Sequence, residues 1–350
     1  MRVFHSQEIK DEAQVGAARR AVQRFAAPLG FSDDELAEIA IVVQEIGTNA
    51  AKYSRVGGRL HWTTPLDGPP GLELFYWDKG PGIFDIDAAV RDGVTTGGGL
   101  GTGFGAIRRL TDELDIYSLQ RGTTSRLLHA RRTTHGTALL CRKRVAGAAA
   151  AAAPADEGAC RRHIGAWSRC RAGEEVNGDG YFVGRHGGRL LLAVVDGLGH
   201  GRGARDATAA ALGPFEDWAG EPPDELLAAA HDALRATRGA VAAAVVIDRE
   251  GERFQYAGVG NVDVRVFNSP EPVRPVPTNG TLGSRLSSLR VWPYRWSEGT
   301  TVVMTSDGVS ATWDIGSYPG LLAKSPQLLA GVLLRDYGRD SDDATALVVR

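Results

Sequence analysis

The chain has 350 residues, with 42 acidic side chains against 40 Lys and Arg and a formal net charge of -2. That length suffices for two domains that each bury a core, and the balanced charge exerts no global pull towards nucleic acid or acidic lipid. Cys141, Cys160 and Cys170 are too few and too irregularly spaced for a disulfide framework or a zinc knuckle, so reduced thiols in a cytoplasmic protein are expected. The opening MRVFHSQEIKDEAQ is charged from the start and lacks the apolar core of a signal peptide. No stretch approaches the roughly 20 apolar residues that span a bilayer.

In chain order, SDDELAEIAIVVQEIGTNAAKYS (32–54) predicts a helix. Ser32 and Glu35 make a capping box, and Leu36, Ile39, Ala40 and Val43 follow helical spacing. GLELFYWD (71–78) predicts a strand, and LGTGFGAIRRLTDEL (100–114) a glycine loop running into a second helix. GTTSRLLHARR (122–132) reads as a strand that turns through TTHG into TALLCRKR. Arg126, Arg131, Arg132, Arg142, Lys143 and Arg144 make this region basic, and a solvated strand edge is the expectation. Residues 145–158 are rich in alanine and almost devoid of large side chains, so they cannot bury enough apolar area to hold a tertiary position. They read as a linker between domains at 1–144 and 159–350.

In the second part, RLLLAVVD, AVAAAVVID, RFQYAGVG, VDVRVF, GTTVVMTSD and ATALVVR are short β-type runs, interrupted by helices expected at 203–218 and 223–238. Both parts mix helices and strands, so the class expected is α+β with two domains. Trp292, Tyr294 and Trp296 alternate, as in a half-buried strand. Nothing interleaves aromatic and basic residues in the way single-stranded nucleic acid would require.

On the long helix Glu45 and Asn49 lie four residues apart on one face, with Lys52 beside Asn49. The set suits Mg-ATP: the Asn49 amide oxygen can meet a hard cation, Lys52 can approach phosphate, and Glu45 can orient an attacking hydroxyl. Downstream, FYWDKGPG ends a strand with Asp78, whose carboxylate can accept from an adenine amino group. Gly80 and Gly82 follow where the backbone must turn tightly against a ligand. TTGGGLGTGFGAIRRL then supplies backbone N–H groups and a helix N-terminus able to surround phosphates.

Order and spacing together resemble the Bergerat (GHKL) ATPase module, through Glu45, Asn49, Lys52, Asp78, Gly80, Gly82, Gly101, Gly103, Gly105, Gly122 and Thr123. Within that family GLGTGFGAIRRLTDELDIYS followed by RGTTSRLL looks most like the RsbT-like switch kinases. The resemblance covers residues 1–144. It implies an α/β sandwich that binds ATP and Mg²⁺ and phosphorylates Ser or Thr on small STAS-domain proteins. By the same resemblance Asn49 would hold Mg²⁺, Asp78 would read adenine with Thr123 supporting it through water, and Glu45 would act as base or orient the hydroxyl.

Acidic residues stand at the ends of several apolar runs of the second half: Asp179 in NGDGYFV, Asp196 with Gly197 in LLLAVVDGLGHG, Asp307 in TVVMTSDGVS, and Asp342 with Asp343 in DSDDATALVV. One Asp-Gly pair is a common turn signal. Four such positions converge if the strands end side by side, and a converged cluster requires cations. Oxygen ligands without a His/Cys set select Mg²⁺ or Mn²⁺, and two such ions can activate water for in-line attack on phosphorus.

The pattern GD…DGxGHG…SDG…DDxT resembles the type 2C-like (PPM) phosphatases of the SpoIIE and RsbX group, over residues 160–350. It implies an αββα sandwich in which Asp196 bridges two metal ions and the Gly197 carbonyl binds one. Asp307 and Asp342 would complete the second ion's shell, and Asp179 would bind or orient water, with Asp343 the lesser candidate of the final pair. His200, in the DGxGHG segment, fits a structural and a functional reading equally. The compact domain favours the RsbX-like branch, and Asn177 before the GD pair departs from the usual small residue.

The two resemblances together imply a bifunctional partner-switching regulator of bacterial stress signalling. It would add and remove phosphate on one STAS-domain antagonist, such as an RsbS- or RsbR-like stressosome protein. The alternative makes the first half an ATP-dependent binding module that sequesters a sigma factor or a downstream phosphatase without turnover.

Overall fold

The computed structural model describes residues 4–54, 56–66, 69–90, 103–120, 135–146 and 163–350. Its contacts divide the chain into two compact units, one of residues 2–162 with 314–332, the other of residues 163–313 with 333–350.

In the first unit β1 (His5–Ile9), β2 (Gly58–Thr63), β3 (Gly71–Asp78), β4 (Glu113–Leu119) and β5 (Gly136–Arg144) form an antiparallel sheet of order β1-β2-β3-β5-β4. Helices α1 (Glu12–Ala26) and α2 (Asp33–Tyr53) supply the apolar residues that pack on the inner side chains of that sheet, giving a two-layer α/β sandwich. The N-terminus of α2 forms as its sequence predicts. Ser32 Oγ accepts from Glu35 N, and Glu35 Oε2 accepts from Ser32 N at 2.8 Å. Its stripe of Ile39, Val42, Val43, Ile46 and Ala50 is buried. Gly47 lets α1 approach: a methyl group there would come within 2.6 Å of Val15 Cγ1.

Two sequence expectations are corrected in this unit. The helix after the glycine loop, α4, spans only Gly103–Leu110 instead of running to Leu114, following the short α3 (Ile86–Val90), and Glu113 and Leu114 open strand β4 (Glu113–Leu119). Pairing along β5, from Glu113↔Arg142 to Leu119↔Gly136, outweighs the local helical preference. The basic stretch at 142–144 is not a solvated edge. Arg142 stands opposite both Glu73 and Glu113 in register and donates to each, at 2.7 and 3.0 Å. Lys143 pairs with Glu38 at 2.5 Å, and Arg144 with Glu113. Arg126, Arg131 and Arg132 lie outside the described residues, as does most of the 145–158 linker.

Residues 314–332 belong to this first unit although they follow the second in sequence. Tyr117 Oη donates to the Pro319 carbonyl at 3.2 Å. The Asp115 carboxylate accepts from Ser325 N at 2.9 Å and faces Lys324 Nζ at 3.3 Å.

The second unit stacks two antiparallel sheets. One runs β12-β10-β9-β8-β7, from Trp292–Arg295, Arg253–Val259, Ala240–Asp248, Arg189–Gly197 and Asp179–His186 respectively. The other runs β11-β13-β14-β6, from Asp263–Phe267, Thr301–Thr305, Ala344–Val349 and Ile164–Arg169. Helices α5 (Arg202–Glu216) and α6 (Pro223–Ala233) pack on the first of these sheets. Strand β14 lies against β7 and β8, which brings the two sheets face to face. Helix α6 ends before the expected residue 238 because Thr237 and Gly239 turn the chain into β9, Gly239 at φ +87° and its N–H bound to Thr237 Oγ1. Trp292 and Tyr294 form the half-buried strand expected of them, with Tyr294 stacked on Phe254. Both units are thus of mixed α/β class. No helix among the described residues is long and apolar enough to cross a membrane.

Candidate functional site

In the second unit the strand ends do converge. Asp179, first in β7, stands directly opposite Asp196 near the end of β8. Asp307 follows β13, and Asp342 and Asp343 precede β14, the partner of β13 in the other sheet. Ser306 joins the two layers: its N–H donates to Thr345 O at 3.0 Å, and its hydroxyl to Asp179 Oδ2 at 2.6 Å.

Four carboxylates share one field here. Burial pushes the Asp196 carboxyl far above the usual carboxylate range, and the charges of Asp179, Asp307 and Asp342 push it further. Asp179, 1% exposed, is raised by the same desolvation. The Ser306 and Thr345 hydroxyls oppose that rise, while Asp343 and Asp307 add to it. Asp179, Asp196, Asp307 and Asp342 are therefore brought together as their sequence positions imply.

Asp343 has a different task. It is 3% exposed, and its two oxygens accept from Arg171 N and Gly178 N, both at 2.9 Å, so it braces the loop that leads into Asp179. Gly197 sits where a methyl group would overlap the Ala204 carbonyl, with its N–H on Gly178 O at 3.2 Å. Asn177, the departure from the family pattern, fixes the same turn by donating to Ser168 Oγ and accepting from Asp179 N. His200 Nδ1 lies 2.8 Å from Glu174 Oε1 at the exposed rim. Asn261, which donates to Asp307 Oδ2 at 2.9 Å, had no signal in the sequence. Ser306 and Thr345 did have one, as polar residues inside the SDG and DDxT segments.

Among the described residues no three His, Cys, Asp or Glu side chains close into a ready ligand shell. The donor set nevertheless fits a hard divalent ion. All of its side-chain donors are oxygens, and the negative charges of Asp179, Asp307 and Asp342, which add to burial in raising the Asp196 carboxyl, would equally attract cations.

In the first unit Glu45 and Asn49 project from α2 towards the start of α4. A methyl group on Gly103 would come within 3.1 Å of Glu45 Oε2 and 3.2 Å of Asn49 Nδ2. The Asn49 Nδ2 atom is buried and has no hydrogen-bond partner among the described residues, a condition a bound ligand would relieve. Lys52 is exposed one turn further and makes no hydrogen bond or ion pair among them. Gly105 is buried on α4. Gly101 and Thr123 lie outside the described residues.

Asp78 ends β3 and is held on three sides. Its Oδ1 accepts from Gly80 N at 2.7 Å and Thr137 N at 3.3 Å, and its Oδ2 from Tyr76 Oη at 3.1 Å. Gly82 adopts φ +81° against the Leu119 carbonyl, and Gly136 adopts φ +115° where a methyl group would overlap Asp78 O. His135 Nδ1 lies 2.9 Å from Gly80 O, and Ser118 Oγ links Ile83 N to Thr137 Oγ1. Thr137 and Tyr76 were missed in the sequence. The available signal for Thr137 was a second Gly-Thr pair, Gly136–Thr137, at the head of the apolar run TALL.

Comparison with known proteins finds two separate family matches along the chain. Residues 10–128 match the family described as histidine kinase-like ATPase domain, and residues 186–350 match stage II sporulation protein E (SpoIIE). The serine/threonine-protein kinase RsbT of Bacillus subtilis (strain 168) is 34% identical over 111 residues, which is 32% of this chain and 84% of that one. The phosphoserine phosphatase RsbX of the same organism is 29% identical over 150 residues, 42% of this chain and 74% of that one. A solved structure from the bacterial stressosome, described as a modular system adapted to control secondary messenger signaling, superposes with a TM-score of 0.51 at 32% identity, covering 54% of this chain and 98% of that one. The chain thus belongs, in its first half, to the family of RsbT with its histidine kinase-like ATPase domain, and its second half carries a SpoIIE domain similar to RsbX.

Proposed function

We propose that the chain is a bifunctional partner-switching regulator that adds phosphate to Ser or Thr of a STAS-domain antagonist with its first half and removes it with its second. The observation that carries the reading is the convergence of Asp179, Asp196, Asp307 and Asp342 on facing strand ends. Two Mg²⁺ or Mn²⁺ ions bound there would neutralise the cluster and supply an activated water for attack on phosphorus. Asp196 would bridge the ions, the Gly197 carbonyl would bind one, Asp307 and Asp342 would hold the other, and Asp179 would hold or orient water. Ser306 keeps the Asp179 carboxylate in place, and Asp343 keeps the loop before it in place.

In the first half the orphaned Asn49 amide beside Glu45 supports a nucleotide site. Asn49 would hold the Mg²⁺ of Mg-ATP, and Asp78 would accept from the adenine amino group. Gly80, Gly82, Gly101, Gly103 and Gly105 would let backbone approach the nucleotide, with Lys52 near its phosphates. Glu45 would take the proton of the incoming Ser or Thr hydroxyl as its oxygen bonds to the γ-phosphorus and ADP leaves. That one relative is a kinase and the other a phosphoserine phosphatase supports a shared substrate, and a single chain would keep both activities near it.

The test incubates full-length protein with γ-labelled ATP and a purified STAS-domain protein. Transfer lost in Asn49→Ala and release of label lost in EDTA and in Asp196→Ala are the expected results. Tight ATP binding without transfer would make the first half a binding module for a sigma factor or a phosphatase partner. Full release of phosphate in EDTA would overturn the metal-dependent reading.

A further inference from the structure

We infer that Tyr76 is the positioning residue that makes Asp78 selective for a 6-amino purine. This rests on the nucleotide site proposed above and assigns a role to a residue outside its motif. On β3, Tyr76 and Asp78 are two residues apart and so share the face of the sheet that packs on the helices. Opposite them in β2 stand Leu60 and Gly58. The Tyr76 ring leans across Gly58, where a methyl group would overlap it, and this diagonal path carries its hydroxyl to Asp78 Oδ2 at 3.1 Å. Tyr76 is 4% exposed, so the packed core fixes its ring.

The consequence follows from counting lone pairs. A carboxylate offers about four acceptor sites. Gly80 N and Thr137 N occupy two on Oδ1, and Tyr76 Oη occupies one on Oδ2. One acceptor site remains, on Oδ2, and its direction is set by the Tyr76 bond. With donors on every other side, Asp78 presents an acceptor to the ligand. An exocyclic amino group satisfies it, and a 6-oxo group meets it acceptor to acceptor. Without the Tyr76 hydroxyl, a second acceptor site on Oδ2 is open to water, which can serve either kind of ligand edge.

The test measures binding of ATP and inosine triphosphate, in Mg²⁺, to the full chain and to Tyr76→Phe, which keeps the ring and deletes only the hydroxyl. Wild-type protein is expected to prefer ATP. Tyr76→Phe should bind ATP about tenfold more weakly, as for loss of one hydrogen bond to a charged group, and bind inosine triphosphate nearly unchanged. Gly58→Ala removes the same bond by displacing the ring and should reproduce the narrowed preference. A purely structural Tyr76 would lower thermal stability while leaving the ATP to inosine triphosphate ratio within twofold of wild type in both variants. That result overturns the inference with the nucleotide site intact. Absence of ATP preference in the wild-type chain would instead overturn the nucleotide reading on which it rests.

Discussion

Asp196→Asn should make the metal-free protein more stable while it abolishes phosphatase activity. The Asp196 carboxyl is raised from 3.8 to about 9 by burial and by its acidic neighbours. A folded-state value above the unfolded one means that stability is fully present below pH 3.8 and is lost as pH rises towards about 9. At about 1.4 kcal/mol per pH unit, the cost accumulated between pH 4 and pH 8 has a ceiling of about 5 kcal/mol. Relaxation and water entering the site reduce this to about 2–3 kcal/mol. Asparagine keeps the shape, removes the charge and should return that amount, about 5–10 °C in the melting temperature of a unit this size. The assay is thermal denaturation in EDTA at pH 5 and pH 8, repeated with excess Mg²⁺. The variant should melt well above wild type at pH 8 and only slightly above it at pH 5. Mg²⁺ should raise wild type and leave the variant nearly unmoved. A variant that melts at or below wild type at pH 8, or a gain equal at both pH values, would refute the electrostatic account of the cluster.

Asp343→Ala should behave oppositely to Asp196→Asn, because it strands the N–H groups of Arg171 and Gly178; a loss of about 2–4 kcal/mol in denaturant titration is expected. Asn49→Ala removes an amide whose buried nitrogen has no partner among the described residues, so stability should change by less than about 1 kcal/mol. Its Mg-ATP affinity, measured by calorimetry, should nevertheless fall at least about tenfold. Gly136→Ala places a side chain at φ +115° against the Asp78 carbonyl and should cost about 2 kcal/mol or more. ATP binding should weaken with it, since Thr137 would shift off Asp78.

Much of the fold was readable where local chemistry and burial agree. The capping box at Ser32 and Glu35 and the apolar stripe behind it specify α2 without help from the rest of the chain. The apolar runs at 189–196, 240–248 and 344–350 read as strands between turn residues, and each forms one, buried along most of its length. Strand β4 was lost because its first residues continue a plausible helix, and only pairing with β5 settles the matter. The basic run at 142–144 was misjudged because the acids that receive it, Glu38, Glu73 and Glu113, are distant in sequence and adjacent only across the sheet or from α2.

By itself the sequence determined which residue types stand at the ends of which apolar runs. That is enough to name Asp179, Asp196, Asp307 and Asp342 as one acidic cluster and Asp78 as the end of its strand. Tertiary structure alone decided how those groups are divided by task. Asp343 is consumed by backbone N–H groups, Tyr76 and Thr137 take up Asp78, and residues 314–332 settle with the first unit. The physical reason is that strand termini are encoded locally, in hydrophobicity and turn residues. A hydrogen bond's partner is set by sheet register and by packing between segments up to about two hundred residues apart, which no local pattern records.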